Sequence, residues 1–126
     1  MTDLQNQVFE FHIASNSARK AIPALNPEVN ELLARLIREE LGELVCAQGG
    51  NDLVGIADAL GDLLYVIYGA AVSYGIDMEP ITNEIHRSNM TKIEGAEIRK
   101  DGKILKGPHY KPPKLRRILL EQGWKP

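Results

Sequence analysis

The chain has 126 residues, 44% of them apolar and 25% charged, with a net charge of −2. That length suits one domain with one core, and with only 6% aromatic residues the core must be built mainly from Leu, Ile, Val and Ala. The single cysteine, Cys46, excludes an internal disulfide framework and suits a reducing cytoplasm, where the protein is expected.

Residues 1–20 lack the basic start and apolar run of a signal peptide. They read instead as a helix over Asp3–Arg19, in which Leu4, Val8, Phe11 and Ser15 recur at helical spacing with His12 beside them. Pro23 interrupts. Asn26, Pro27 and Glu28 then supply a cap, a first-turn proline and an acid at the positive end of a second helix, which runs to Gln48 and stops at Gly49–Gly50. A third helix is predicted from Asn51–Asp52 to Tyr74, with Gly75 as its stop. It contains no Lys, Arg or Glu and is apolar around most of its circumference, which predicts a central, buried helix. Its longest uncharged stretch, Leu63–Ile76, has 14 residues, where a spanning helix needs about 20, so no membrane is expected. Cys46 sits on the pattern of the second helix and reads as a packed small residue.

Asp77 caps a fourth helix over Pro80–Met90. Beyond Lys92 the character changes. Glu97–Lys100 and Lys103–Lys106 flank Asp101–Gly102, the pattern of a two-residue hairpin turn that would set Lys100 opposite Lys103. Gly107–Pro113 reads as loop, and a short last helix runs to Leu120 with Gly123 as its stop. The expected architecture is thus all-α: one domain over 1–126, a four-helix bundle with a C-terminal hairpin or loop extension and a short last helix.

Charge is divided along the chain. Residues 1–86 hold 13 acidic and four basic residues, a balance of −9; residues 87–126 hold four acidic and 11 basic, a balance of +7. An acidic part concentrates divalent cations and a basic part attracts phosphates, although solvated surface charge would look the same.

The sharpest signal is in the second helix. Val29, Leu32, Leu33, Leu36, Ile37 and Leu44 form one apolar stripe. At about 100° per residue, Glu40 falls in its middle, Glu43 inside it and Glu39 at its edge. An unpaired buried carboxylate costs several kcal/mol, so such groups are normally paired with a cation or bound to a metal. On the third helix Asp58 and Asp62 lie one turn apart beside Tyr65, among Val54, Ala59, Val66 and Gly69, and that helix has no base to neutralise them. Two helices aiming carboxylates at a bundle interior make a cage of hard oxygen ligands suited to Mg²⁺, Mn²⁺ or Ca²⁺. The alternatives are an Arg or Lys partner for the glutamates and plain exposure for the aspartates. No Glu has His three residues on, as a di-iron bundle requires, and one Cys with three scattered His does not suggest zinc.

Asn89 and Lys92 end one face of the fourth helix with an amide and an ammonium, and the hairpin adds Lys100, Lys103 and Lys106. These groups suit phosphate oxygens, or form a solvated basic hairpin.

Taken in order, Glu39, Glu40 and Glu43, then Asp58 and Asp62 within Ile56–Gly69, resemble the MazG-like all-α nucleoside triphosphate pyrophosphohydrolases. The superfamily includes dimeric dUTPases and phosphoribosyl-ATP pyrophosphohydrolases, and the phosphoribosyl-ATP pyrophosphohydrolase-like subgroup matches best. Phe11–Ala14, the trio His86, Asn89 and Lys92, then Asp101–Lys103 and Lys106–Pro112 extend the resemblance over nearly the whole chain. Where the family often has Glu-x-x-Asp ending at the position of Asp62, this chain has Ala59, and its nearest acid is Asp58.

The resemblance implies a four-helix bundle holding Mg²⁺ or Mn²⁺ on Glu40, Glu43, Asp62 and Asp58, in a homodimer or dimer of dimers. It implies attack of water on the α phosphate of a nucleoside triphosphate such as dUTP or dCTP, with pyrophosphate leaving. Glu39 is the candidate for orienting or deprotonating the water. Asn89, Lys92, Lys103, Lys106 and Tyr110 are expected at the polyphosphate, and His12 either at the base or sugar or simply packed. Two other readings remain: a phosphoribosyl-ATP pyrophosphohydrolase, and a non-enzymatic helical dimer or nucleic-acid-binding module. The last leaves Glu40 and Glu43 unexplained, and Tyr110 and Trp124 do not interleave the lysines in sequence as a stacking platform would. No stable nucleic-acid partner is expected.

Overall fold

The computed structural model describes residues 1–126. It is all-helical: α1 (Asp3–Ala14), a short 3₁₀ turn (Pro27–Val29), α2 (Asn30–Gly49), α3 (Leu53–Tyr74), α4 (Met78–Met90) and α5 (Leu115–Glu121). The first helix ends five residues earlier than its periodicity suggests. Ser15 bonds back to the Phe11 carbonyl at 2.7 Å and to the Ser17 hydroxyl, and Asn16 turns to φ +53°. Short polar side chains offer the backbone these alternatives to helix, and here they win. Asn26 does not cap. Its amide donates to the Ser73 carbonyl at 3.1 Å, and α2 starts through the 3₁₀ turn instead. Asp52 and Asp77 do cap, accepting from the Gly55 and Glu79 amides.

Antiparallel α2 and α3 pack along most of their length, and α1 lies against a second side of α3. The core is small: Val8, Leu33, Ala59, Ala71, Val72 and Ile81 are buried, each large aliphatic contributing about 1.5–3 kcal/mol. The buried Gln5 ties α1 to the corner after α3, donating to the Ile76 carbonyl at 2.7 Å and accepting from the Met78 amide at 2.9 Å. Gly75 makes that corner at φ +72°, where a Cβ would lie 2.3 Å from the Ile22 carbonyl oxygen. Helix α4 turns away from the others and packs chiefly on α5.

The prediction that α3 would be buried is corrected. One side of it is packed, while Leu53, Val54, Leu60, Leu64 and Ile67 are exposed, as are Leu41 and Val45 on α2. Its 22 residues, with a mean hydropathy of 1.5 over 18 of them, are long and apolar enough to cross a membrane by length and composition. The exposed Cys46 corrects the reading of it as packed.

The hairpin shrinks to one antiparallel bridge, Ile98 to Ile104, and its register differs from the predicted one. The Arg99 amide pairs with the Lys103 carbonyl, so the loop holds Lys100, Asp101 and Gly102, the last at φ +93°. Lys100 therefore sits on the tip and not opposite Lys103. The cause is Asp101, whose carboxylate accepts from the Arg99 guanidinium at 2.9 Å and the Lys103 amide at 3.2 Å. That grip depresses its pKa, the Arg99 hydrogen bond being the main cause, and closes a three-residue loop with glycine in the left-handed position.

Candidate active site

Glu40 and Glu43, one turn apart on α2, meet Asp62 of α3, and oxygens of all three lie within 4.8 Å of one another. The helix stripe explains the meeting: Glu40 occupies a position at which α2 faces α3, which turns one oxygen of its carboxylate away from water. Glu40 is half-buried, and its Oε2 is buried with no hydrogen-bond partner. Its pKa is raised, first by loss of hydration and then by the neighbouring carboxylates of Glu43, Asp62 and Asp58. No Lys or Arg is bound to any of the three, which removes the ion-pair alternative. An orphaned carboxylate oxygen among acids is the donor set a hard divalent cation satisfies. Asp58 adds its charge to the group without joining the close trio, and Glu39 is exposed beside it.

On the same side of the helix pair lies an apolar cavity of about 160 Å³. Phe11, Leu32, Leu36, Tyr65 and Val66 form its walls, and His12 enters it over Gly69. Leu36 is one turn before Glu40, and Tyr65 one turn after Asp62. Because the helices are antiparallel, both steps lead the same way, so the cavity begins about one turn, roughly 5 Å, from the carboxylates. His12 Nδ1 lies 2.7 Å from the Ala18 carbonyl oxygen.

The basic residues form a separate group. Asn89 and Lys92 border a hollow of about 310 Å³ with Met90, Ile93 and Ile104. The ammonium groups of Lys92 and Lys106 lie 5.8 and 4.8 Å from the centre of the Tyr110 ring, an attraction between cation and ring face. The aromatic ring and the lysines that look unrelated in sequence therefore meet in space. Lys103 is exposed and outside both groups. The hollow at Asn89 and Lys92 shares no residue with the His12 cavity.

Sequence periodicity found the carboxylates but missed the cavity. Its one sequence signal is Gly69, a helical glycine one turn beyond Tyr65, whose added Cβ would lie 3.2 Å from His12 Nε2. The family model described as phosphoribosyl-ATP pyrophosphohydrolase matches residues 7–89, which contain all three carboxylates, the cavity and Asn89. An uncharacterized protein of Acanthamoeba polyphaga mimivirus is 42% identical over 69 residues, covering 55% of this chain and 25% of that protein. The match thus spans about a quarter of the length of that relative.

Proposed function

The chain belongs to the phosphoribosyl-ATP pyrophosphohydrolase family, and from that premise we propose that it is a metal-dependent nucleoside triphosphate pyrophosphohydrolase. Water attacks the α phosphorus of a deoxynucleotide such as dUTP or dCTP. The bond from that phosphorus to the bridging oxygen breaks, and pyrophosphate leaves with the oxygen. The observation that carries this reading is the trio Glu40, Glu43 and Asp62 with its orphaned oxygen. Mg²⁺ or Mn²⁺ held there, with Asp58 alongside, would neutralise charge on phosphate oxygens and acidify water.

The chain's other residues have separate tasks. Glu39, exposed beside the trio, orients the attacking water or takes its proton. Asn89, Lys92, Lys103 and Lys106 hold polyphosphate oxygens by charge-assisted hydrogen bonds, and Tyr110 steadies two of those lysines. The His12 cavity receives the nucleoside. Since the hollow at Asn89 and Lys92 shares no residue with the His12 cavity, the reading includes a homodimer or dimer of dimers whose second copy completes the site. The uncovered apolar residues of α2 and α3 support such an assembly. The reading calls for no membrane or stable nucleic-acid partner and suits a cytoplasmic nucleotide pool.

The test is a panel of deoxyribonucleotides, ribonucleotides and phosphoribosyl-ATP with Mg²⁺ or Mn²⁺, scored for monophosphate and pyrophosphate. Turnover of phosphoribosyl-ATP alone would assign the family's named substrate to the same site. Orthophosphate with a residual diphosphate would overturn the mechanism.

A further inference from the structure

We propose that His12 reads the base: its Nε2 accepts a hydrogen bond from an N–H of a pyrimidine lodged in the cavity between α1, α2 and α3. The inference rests on the pyrophosphohydrolase reading of the neighbouring carboxylates and adds the edge by which a substrate is recognised.

The Ala18 carbonyl fixes which ring nitrogen of His12 carries hydrogen. A carbonyl oxygen can only accept, so the Nδ1 that lies 2.7 Å from it carries the hydrogen. A neutral imidazole has one N–H, which leaves Nε2 as an acceptor. The backbone thereby selects the tautomer, because the turn after α1 brings Ala18 back over the ring. Nε2 itself has no partner and is not sealed from solvent. It lies above Gly69, where any side chain would press on it from 3.2 Å.

The cavity's two serine hydroxyls are already engaged, while the Tyr65 hydroxyl makes no hydrogen bond. Ser73 donates within reach of the Gly69 and Ala18 carbonyls, at 2.9 and 3.2 Å, and Ser17 is bonded to Ser15. His12 Nε2 is then an unpaired acceptor in a largely apolar box, the arrangement by which small-molecule sites fix orientation. The rings of Phe11 and Tyr65 meet edge to face at 5.7 Å and offer aromatic wall to a flat ligand. A cavity of about 160 Å³ is well below the roughly 300 Å³ at which sites for drug-sized molecules begin, and so admits a single ring. One helical turn separates it from the carboxylates, which leaves a span for the sugar.

The probes are α,β-imido triphosphates, which cannot be cleaved at the bond in question, of deoxycytidine, deoxyuridine and 2-pyrimidinone deoxyriboside. Cytosine carries an exocyclic amine and uracil a ring N–H, while 2-pyrimidinone has no N–H. Binding by calorimetry is compared for the wild type, His12→Phe and Gly69→Ala, each checked by thermal melting. The wild type is expected to bind the better natural base about tenfold or more tightly than the 2-pyrimidinone compound. His12→Phe should bind all three alike. Gly69→Ala, which keeps the imidazole and its Ala18 bond but crowds Nε2, should lose most of the discrimination. If the wild type binds 2-pyrimidinone as tightly as the natural bases, or if the variants discriminate as the wild type does, His12 does not read the base. Parallel assays with the cleavable triphosphates keep the two readings apart. Discrimination in binding without hydrolysis removes the pyrophosphohydrolase and keeps His12, whereas hydrolysis blind to the N–H does the reverse.

Discussion

At Glu40 a carboxylate oxygen is shut away from water beside two further acids, with no cation bonded to it. In a scaffold residue this would be a defect; in a ligand for a cation it is preparation. The two cases differ in the sign of a substitution. Glu40→Gln relieves like-charge repulsion, so in EDTA it is expected to melt at or above the wild type. Adding Mn²⁺ at 100 times its dissociation constant should stabilise the wild type by about 2.7 kcal/mol and the variant by much less. A structural ion pair would behave oppositely, with the amide costing roughly 3–5 kcal/mol in EDTA. The pH dependence has a definite sign. Because the folded pKa of Glu40 lies above its ordinary 4.5, ionisation opposes folding as pH rises through that raised value. Metal-free wild type should therefore gain stability as pH is lowered through that raised value towards 4.5, and Glu40→Gln should lack that gain. Melting curves across this range, with and without EDTA, decide the matter.

One acid, Glu84, clamps α4 to the start of α5. Glu84 accepts from both the Nε and Nη2 of Arg87 and from the Lys114 amide at 2.9 Å, and its pKa falls to about 2, the Arg87 hydrogen bond being the largest cause. A depressed acid stabilises the fold above its ordinary value of 4.5 and loses that contribution as pH falls through 2. Glu84→Gln should therefore melt below the wild type at pH 7, with the gap closing between about pH 4.5 and 2. A gap unchanged at pH 2 would mean that Glu84 acts by packing instead. Only half of this clamp is marked in the sequence: Glu84 and Arg87 stand three apart on one helix, whereas Lys114 is brought to them by the fold of the loop between. What local rules govern was legible: the helices, the caps at Asp52 and Asp77, and the inward-facing Glu40, all set by spacing along one helix. What tertiary geometry governs was not. Asn26 has the chemistry of a cap, but the chain carries it past the end of α3, where the Ser73 carbonyl takes its amide. The hairpin register turned on one side-chain bond from Arg99 to Asp101. The Ala18 carbonyl that fixes His12 is backbone, invisible to any residue pattern.

Across the whole molecule the apolar surface is unevenly finished. At about 100° per residue, Leu60 and Leu64 on α3 lie roughly opposite Asp62, and Leu41 on α2 roughly opposite Glu43. These leucines are all about half exposed, at 49%, 51% and 50%. The helix pair thus carries acids on one side and a bare hydrocarbon seam on the other. We expect a second copy to cover that seam. Leu60→Glu combined with Leu64→Glu should convert a dimer or tetramer to monomer by light scattering at micromolar concentration, with a fall in turnover if assembly completes the site. A monomeric wild type would remove the assembly from the proposal. The same helix pair also has a history in time. Glu40, Glu43 and Asp62 belong to one hairpin whose arms are joined only by Gly50–Asp52. Contacts so close in sequence form early, before distant segments dock, so the like charges confront one another before α1 or α4 is in place. Interactions already present at the transition state act on the rate of folding. The ion proposed for hydrolysis would then also be a template for the young chain, hastening its collapse rather than delaying its unravelling.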